Sequence, residues 1–444
     1  MTRFEFEAQG YDLFTTALGF RILRQHHHYV SHCVFDKFID QQDKRFKETL
    51  GDDAKGLLSL YEAAHLRTHG EQILDEAVTF TVHNLKRMVQ QLESPLQDLV
   101  KRALERPLHR GLPRMETRHY ISFYEKYDSK NEQLLRLAKL DFNQVQSIYK
   151  NELHELTRWW NELNPQLPYA RNRIVAAYLW GVASHFEPQY SYMIDICSAY
   201  NKGLKYTMGG EVPSFEDYIQ MTVITSVIYV ACAATFAGLK SVCEETINWF
   251  KSEPKIIRPL AEMKDICSAY NKGLKYTMGG EGPSFEDYIQ MTVITSVIYV
   301  ACAATFAGLK SVCEETIDWF KSEPKIIRPL AEVCRYLDDI GSYERESQEG
   351  ALLIGLDFYV KDHGGSMEEA KDKFVELAED AWKHFNGEWI TNVRVSGVPK
   401  DVAEELIGYA RAAEIFYRNG RDGYAKCHAM APEIKGILVD PVIV

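Results

Sequence analysis

The chain has no basic excess. Its 51 lysines and arginines face 63 aspartates and glutamates, for a formal net charge of -12. A nucleic-acid binder needs a basic face, so that class of partner is set aside. A local basic pocket for a diphosphate remains compatible with the balance. Cysteine patterning is also thin. Six of the nine cysteines fall in one repeated segment, so their number reflects duplication rather than a disulfide framework. No paired CxxC spacing of the zinc-binding kind occurs, and a reducing compartment fits. The start, MTRFEFEAQGYDLF, has neither a charged-then-apolar signal pattern nor a Ser/Arg-rich transit composition. Long apolar runs are scarce as well. The longest uncharged ones, 221–238 and 291–308, only reach the lower limit for a bilayer span and carry Thr and Ser among many alanines. They read as helices buried on most sides, and a membrane partner is not expected. Strand-like alternation is rare throughout, which predicts an all-α fold. A length of 444 residues allows two or three domains.

What the chain does have is an acidic helical motif. In the stretch Asp338-Asp339-Ile340-Gly341-Ser342-Tyr343-Glu344-Arg345-Glu346, Asp338, Ser342 and Glu346 are spaced i, i+4, i+8 and share one face. Two carboxylates and a hydroxyl offer hard oxygen donors, which suit Mg²⁺ when substrate phosphate completes its shell. Arg335, one turn earlier on that face, is placed to hold a phosphate oxygen. On spacing alone an acidic, solvated helix face is the commoner outcome.

The first 165 residues read as helices with short polar links. Leu57, Leu60, Tyr61 and Ala64 form a core-facing stripe, and Pro95, Pro107 and Pro113 punctuate later helices. His26, His27, His28 and His32 have a spacing compatible with a metal, but no third ligand is near in sequence, so an exposed polar helix end is expected. Asp36, Asp40 and Asp43 alternate with Lys37, Lys44 and Arg45, which predicts a salt-bridged surface.

Several phrases here resemble a known family. GLLSLYEAAHLRTHGEQILDEA (56–77), HRGLPRMETRHYI (109–121), LAKLDFNQVQ (137–146) and ELTRWWNEL (155–163) are similar to the amino-terminal α-barrel domain of plant terpene synthases, especially the sesquiterpene-forming, cadinene/germacrene type. The family normally carries a further stretch ahead of these, so the α-barrel is expected to be incomplete. LPYARNR (167–173) and YLWGVASHFEPQYS (178–191) resemble the family's RxR element and the opening of its catalytic domain. The resemblance implies that Arg171 and Arg173 draw off the diphosphate and that Trp180 is a pocket aromatic. Its expected boundaries are 1–165 for the α-barrel part and 166–444 for the metal-binding catalytic part.

After FEPQYS the family pattern breaks. The DDxxD motif that supplies the first metal site does not occur; the only adjacent aspartate pairs are Asp52-Asp53 and Asp338-Asp339. Instead, residues 195–262 recur as 265–332, differing only at Val212/Gly282 and Asn248/Asp318. Near-identity of this kind points to a recent duplication rather than a solenoid. Ser214 with Asp217, and Ser284 with Asp287, fit an N-cap for the apolar helix of each copy. Only the second copy runs into VCRYLDDIGSYERE. At the offset of 70, Arg335, Asp338, Ser342 and Glu346 align with Asp265, Ser268, Lys272 and Tyr276, so the first copy has no metal face. One position in the fold cannot take both copies.

Downstream, Ser366 and Glu369 predict a capping box for a helix with an Ala370, Phe374, Leu377, Ala381 stripe, and Asn386-Gly387 reads as its stop. In YRNGRDGY, Tyr417, Asp422 and Tyr424 match a family element that lines and caps the pocket; without the family they are a turn beside a helix end. DDIGSYERE fits the family's second metal pattern, (N/D)D(L/I/V)x(S/T)xxxE, at every specified position. The resemblance therefore implies a carbon–oxygen lyase. It would ionise and cyclise farnesyl diphosphate with Mg²⁺ (or Mn²⁺ as substitute) at Asp338, Ser342 and Glu346, with Arg335 on the diphosphate. A cytoplasmic monomer is expected. The alternative reading is a catalytically impaired or inactive remnant. Loss of one metal site costs several powers of ten, since each lost charge contact is worth about 3 kcal/mol or more.

Overall fold

Helices make up the regular structure of the described residues, and the one strand-like feature among them is an isolated bridge between Ile39 and Phe46. The structure is a computed structural model. It describes residues 10–163, 174–184, 283–295, 325–348, 354–391 and 400–444, with 165, 172, 186, 298, 302, 315–316, 319 and 322 between them. The first repeat copy, 195–262, the arginines Arg171 and Arg173, and the N-cap pair Ser214/Asp217 lie outside the described residues.

The amino-terminal part runs through α1 (Leu13–Gln25), α2 (Ala54–Ala64), α3 (Gln72–Met88), α4 (Leu96–Glu105), α5 (Pro113–Tyr124) and α6 (Glu132–Leu163). Local chemistry sets the starts. Asp12 and Asp53 accept the Thr15 and Gly56 N–H groups as N-caps, at 2.8 and 2.9 Å, and Pro113 opens α5 where its missing N–H costs nothing. The α2 stripe is buried as its spacing predicts: Leu60 and Ala64 face one apolar cluster with α1 and α3, and Leu57 and Tyr61 face another with α3 and α4.

Two surface expectations change. His27 is buried, not exposed. It adopts φ 59°, lies 4.3 Å from the Trp389 ring, and its Nδ1 is 3.1 Å from the Trp389 carbonyl. Asp40 and Asp43 act mainly within a turn, accepting the Gln42 and Arg45 backbone N–H groups at 2.8 and 2.9 Å. Short polar side chains beside a reversal satisfy the backbone first.

The carboxy-terminal part contains α7 (Ile174–Ser184), α8 (Phe285–Thr295), α9 (Ile327–Gln348), α10 (Gly355–His363), α11 (Met367–Thr391), α12 (Lys400–Tyr417) and α13 (Ala431–Leu438). They share one large core, to which Leu112, Met115, Val145, Tyr149, Leu156 and Trp160 of the earlier segment also contribute. The described part of the second repeat copy belongs to that core through Tyr288, Ile289, Val293, Ile327 and Leu330. Its α8 is capped as expected, Ser284 Oγ accepting the Asp287 N–H at 3.1 Å. The Ser366/Glu369 box also forms, with contacts of 2.7 and 3.2 Å.

Asn386-Gly387 does not stop α11, which continues to Thr391. Asn386 is 1 % exposed and its amide donates to the carbonyls of His65 and Arg67, both at 3.0 Å. Trp389 and Ile390 beyond it are core residues, so tertiary burial outweighs the local stop signal. No described helix is long and apolar enough to cross a membrane.

Candidate metal and diphosphate site

The site is built on α9. Its first half buries Ile327, Leu330, Ala331 and Val333 completely, which fixes the helix against α11 and α12. Burial of Ile327, Leu330 and Val333 contributes roughly 1.5–3 kcal/mol each. The second half carries the acidic face. Gly341 lets that half approach the chain beyond α12: a Cβ there would lie 2.5 Å from the Arg421 carbonyl oxygen and 3.0 Å from the Tyr417 ring.

Asp338, Ser342 and Glu346 lie on this helix, as their spacing implies. The side chains of Asp338 and Glu346 are 28 and 31 % exposed, while Ser342 is fully buried. The Ser342 hydroxyl has no hydrogen-bond partner. Arg335 donates to Asp338 Oδ2 at 2.6 Å and pairs with Asp339 as well. It is a half-buried clamp between two carboxylates rather than a free surface cation, and its Nε is unpartnered. Burial opposes its charge, but Asp339 and Asp338 outweigh that and hold the guanidinium above its ordinary value.

Asp339 points away from the Asp338–Glu346 face into the core. The Tyr288 hydroxyl lies 3.2 Å from its Oδ2, and Gly355 leaves room for it, since a Cβ there would meet Oδ2 at 2.1 Å. Burial pushes the Asp339 carboxyl up to about 7, against the pull of Arg335. Tyr288, Asp339 and Gly355 were not singled out from sequence. The available signal was the paired aspartate: one residue on, a helix turns about 100°, so the second carboxylate must face elsewhere.

Arg345 was also missed. Its Nε donates to Asp422 Oδ2 at 2.7 Å and its Nη2 to Glu346 Oε1 at 3.1 Å. It therefore ties the segment after α12 to the end of the acidic face of α9. Asp422 is buried and also accepts the Ala425 N–H at 3.3 Å. Tyr417 is buried at the end of α12, and burial with the nearby Asp338 carboxylate pushes its phenol well up. Asn419 and Gly420 take φ 60° and 69°, which makes the turn read from YRNGRDGY. Trp180 stacks on Phe416 at 5.3 Å, and Tyr424 lies 6.2 Å from the same ring. The structure thus brings Trp180, Tyr417, Asp422 and Tyr424 around one end of α12 and places Arg335, Asp338, Ser342 and Glu346 beside it.

Among the described residues no group of three or more histidine, cysteine, aspartate or glutamate side chains comes together as a metal site. What α9 presents is two carboxylates and a buried, unpartnered hydroxyl. An all-oxygen set of this kind fits a hard divalent cation, with water or substrate oxygens completing the shell.

A model described as the terpene synthase N-terminal domain matches residues 2–104. One described as the terpene synthase family metal binding domain matches twice, over 192–263 and 260–384, each match spanning one copy of the tandem repeat. The chain is 41 % identical to a gamma-cadinene synthase of Ocimum basilicum, over 98 % of this chain and 82 % of that one. It is 36 % identical to a germacrene A synthase of Pogostemon cablin, over 98 and 81 %. Among solved structures, limonene synthase with 2-fluorolinalyl diphosphate matches with a TM-score of 0.81 at 26 % identity, covering 98 % of this chain and 83 % of that one. Isoprene synthase from grey poplar leaves, in complex with three Mg²⁺ ions and dimethylallyl-S-thiolodiphosphate, matches with a TM-score of 0.78 at 29 % identity, covering 97 and 85 %.

Proposed function

The chain belongs to the terpene synthase family, and from that premise we propose that it acts on farnesyl diphosphate as a sesquiterpene synthase-type carbon–oxygen lyase. The supporting observation is the oxygen face of α9, where the buried Ser342 hydroxyl lacks a partner between two carboxylates. In this reading Asp338, Ser342 and Glu346 hold the cation, Mg²⁺ with Mn²⁺ as a substitute. The bound ion would neutralise charge on the diphosphate as the carbon–oxygen bond breaks. Arg335, with Arg171 and Arg173, would hold diphosphate oxygens by charge-assisted hydrogen bonds. Trp180, Tyr417 and Tyr424 would offer π faces to the allylic cation and keep water away from it. Arg345 and Asp422 would hold the closing segment over the metal face. Proton loss from the cyclised cation would give a hydrocarbon and inorganic diphosphate. The parts 1–165 and 166–444 would then be the α-barrel and catalytic domains, in a cytoplasmic monomer.

The missing DDxxD segment favours a second reading. With one metal face standing alone, turnover is expected several powers of ten below that of an intact relative, because each lost charge contact is worth about 3 kcal/mol or more. At that limit the chain is an inactive remnant. The test is incubation of the purified chain with farnesyl diphosphate and Mg²⁺, with extracted products read by gas chromatography. A fifteen-carbon hydrocarbon supports the first reading. No product, with an intact relative active in parallel, rejects it in favour of the second.

A further inference from the structure

The amino-terminal helices form a cavity of about 460 Å³, whose lining residues all fall between Phe14 and Tyr127. That volume is within the usual range for small-molecule sites, roughly 300–1,000 Å³. Leu18, Leu58 and Leu99 give it apolar wall. Phe14, Leu108 and Tyr120 also line it while staying 43, 40 and 55 % exposed, so the cavity opens to solvent.

Arg106 lines this cavity and is only 3 % exposed. Its Nε has no partner, and its Nη1 meets the Met115 sulfur at 3.6 Å. Among the described residues no carboxylate is within ion-pair distance of it. Arg102, one turn earlier, differs: it donates to Glu116 Oε1 at 2.5 Å and Oε2 at 3.1 Å, and to Glu105 at 3.1 Å. Burial draws the Arg106 guanidinium down to about 10, so it is charged at neutral pH. Glu116, Glu414 and Glu105 favour that charge only from beyond ion-pair distance, and a buried cation without a direct partner leaves a counter-ion position unfilled.

We propose that this cavity binds an amphipathic monocarboxylate, its chain against Leu18, Leu58 and Leu99 and its carboxylate on Arg106. Arg21, Lys55, Arg102, Glu62 and Glu116 line the cavity too, but Glu116 occupies Arg102, and Arg106 is the fully buried guanidinium left to take a carboxylate. The site is separate from the α9 face and does not rest on the function proposed for it.

The test is calorimetric titration of sodium dodecanoate, below its micellar concentration, into the full chain. One saturable site is expected. Arg106→Met should weaken binding by about tenfold or more, the worth of one charge-assisted hydrogen bond. The same variant should melt at or above the wild-type temperature, because it removes an unpaired buried charge. Leu99→Trp, which puts a bulkier ring into the apolar wall, should weaken binding. On the unmutated chain, neutral 1-dodecanol should bind about tenfold more weakly than dodecanoate, a comparison that needs no folded variant. Absence of saturable binding, equal affinity for dodecanol, undiminished binding by either variant, or displacement of dodecanoate by inorganic diphosphate would overturn the proposal.

Discussion

Replacing Arg110 by methionine should loosen the contact between the two halves of the chain. Arg110 is 1 % exposed, in a short turn between α4 and α5. It makes two hydrogen bonds to Glu379 of α11, one of them at 2.7 Å, and lies 3.4 Å from Glu414 of α12. Its guanidinium also sits 5.0 Å from the Trp382 ring centroid. Burial opposes the charge on Glu379, but Arg110 and Arg67 outweigh it and hold that carboxyl well below the usual range. Removing one member of a buried ion pair costs about 3–5 kcal/mol, because the partner stays buried and charged. The loss here should be smaller, about 2–4 kcal/mol. Glu379 keeps Arg67 at 2.9 Å, and Glu414 keeps Arg418 at 2.7 Å and the Trp382 indole N–H at 2.8 Å. The assay is urea unfolding followed by helical circular dichroism at neutral pH, read as a midpoint shift at constant slope. Arg110→Lys should recover only part of the loss, since an ammonium cannot reproduce the two-pronged contact. A cycle with Glu379→Gln should give a coupling of about 1–3 kcal/mol. A loss below about 0.5 kcal/mol for Arg110→Met, the range of an ordinary surface change, would refute the idea that this network joins the halves.

Gly355→Ala should cost about 1–3 kcal/mol, since the new methyl group would displace the buried Asp339 carboxylate and the Tyr288 ring, 2.1 and 2.8 Å from its position; thermal unfolding reads this, and an unchanged midpoint would contradict it. Burial raises the Glu62 carboxyl from 4.5 to about 7. Between those values the folded chain keeps a proton that the unfolded chain has lost, so this group's contribution falls as pH rises from about 4.5 to about 7. Glu62→Gln should therefore match the wild type near pH 5 and be about 1–2 kcal/mol more stable near pH 8, the full shift of about 3 being reduced by partial exposure. Equal stability differences at the two pH values would sink that assignment.

The parts of this molecule legible in the sequence were those with local causes. The α2 stripe, the Ser284 and Ser366 caps and the shared face of Asp338, Ser342 and Glu346 all follow from helical period or one-turn hydrogen bonds. The parts that escaped have distant causes. Asn386 is a helix-stop signal only until His65 and Arg67, 321 and 319 residues away, offer their carbonyls. His27 looks like a polar helix end until Trp389 covers it. Arg110 and Glu379, 269 residues apart, carry no mark of their pairing. Arg345 lies inside a recognisable motif, yet at a position the motif leaves unspecified, and only the fold brings Asp422 to it.

The function proposed for the α9 face requires a divalent cation. The direct measurement is release of inorganic diphosphate from farnesyl diphosphate by the wild-type chain and by Asp338→Asn and Glu346→Gln, each with Mg²⁺ and with chelator. Slow, Mg²⁺-dependent release by the wild type is expected, falling at least about 100-fold in either variant, the scale of a lost transition-state charge contact. Release that survives chelation, or that proceeds equally in the variants, would contradict it.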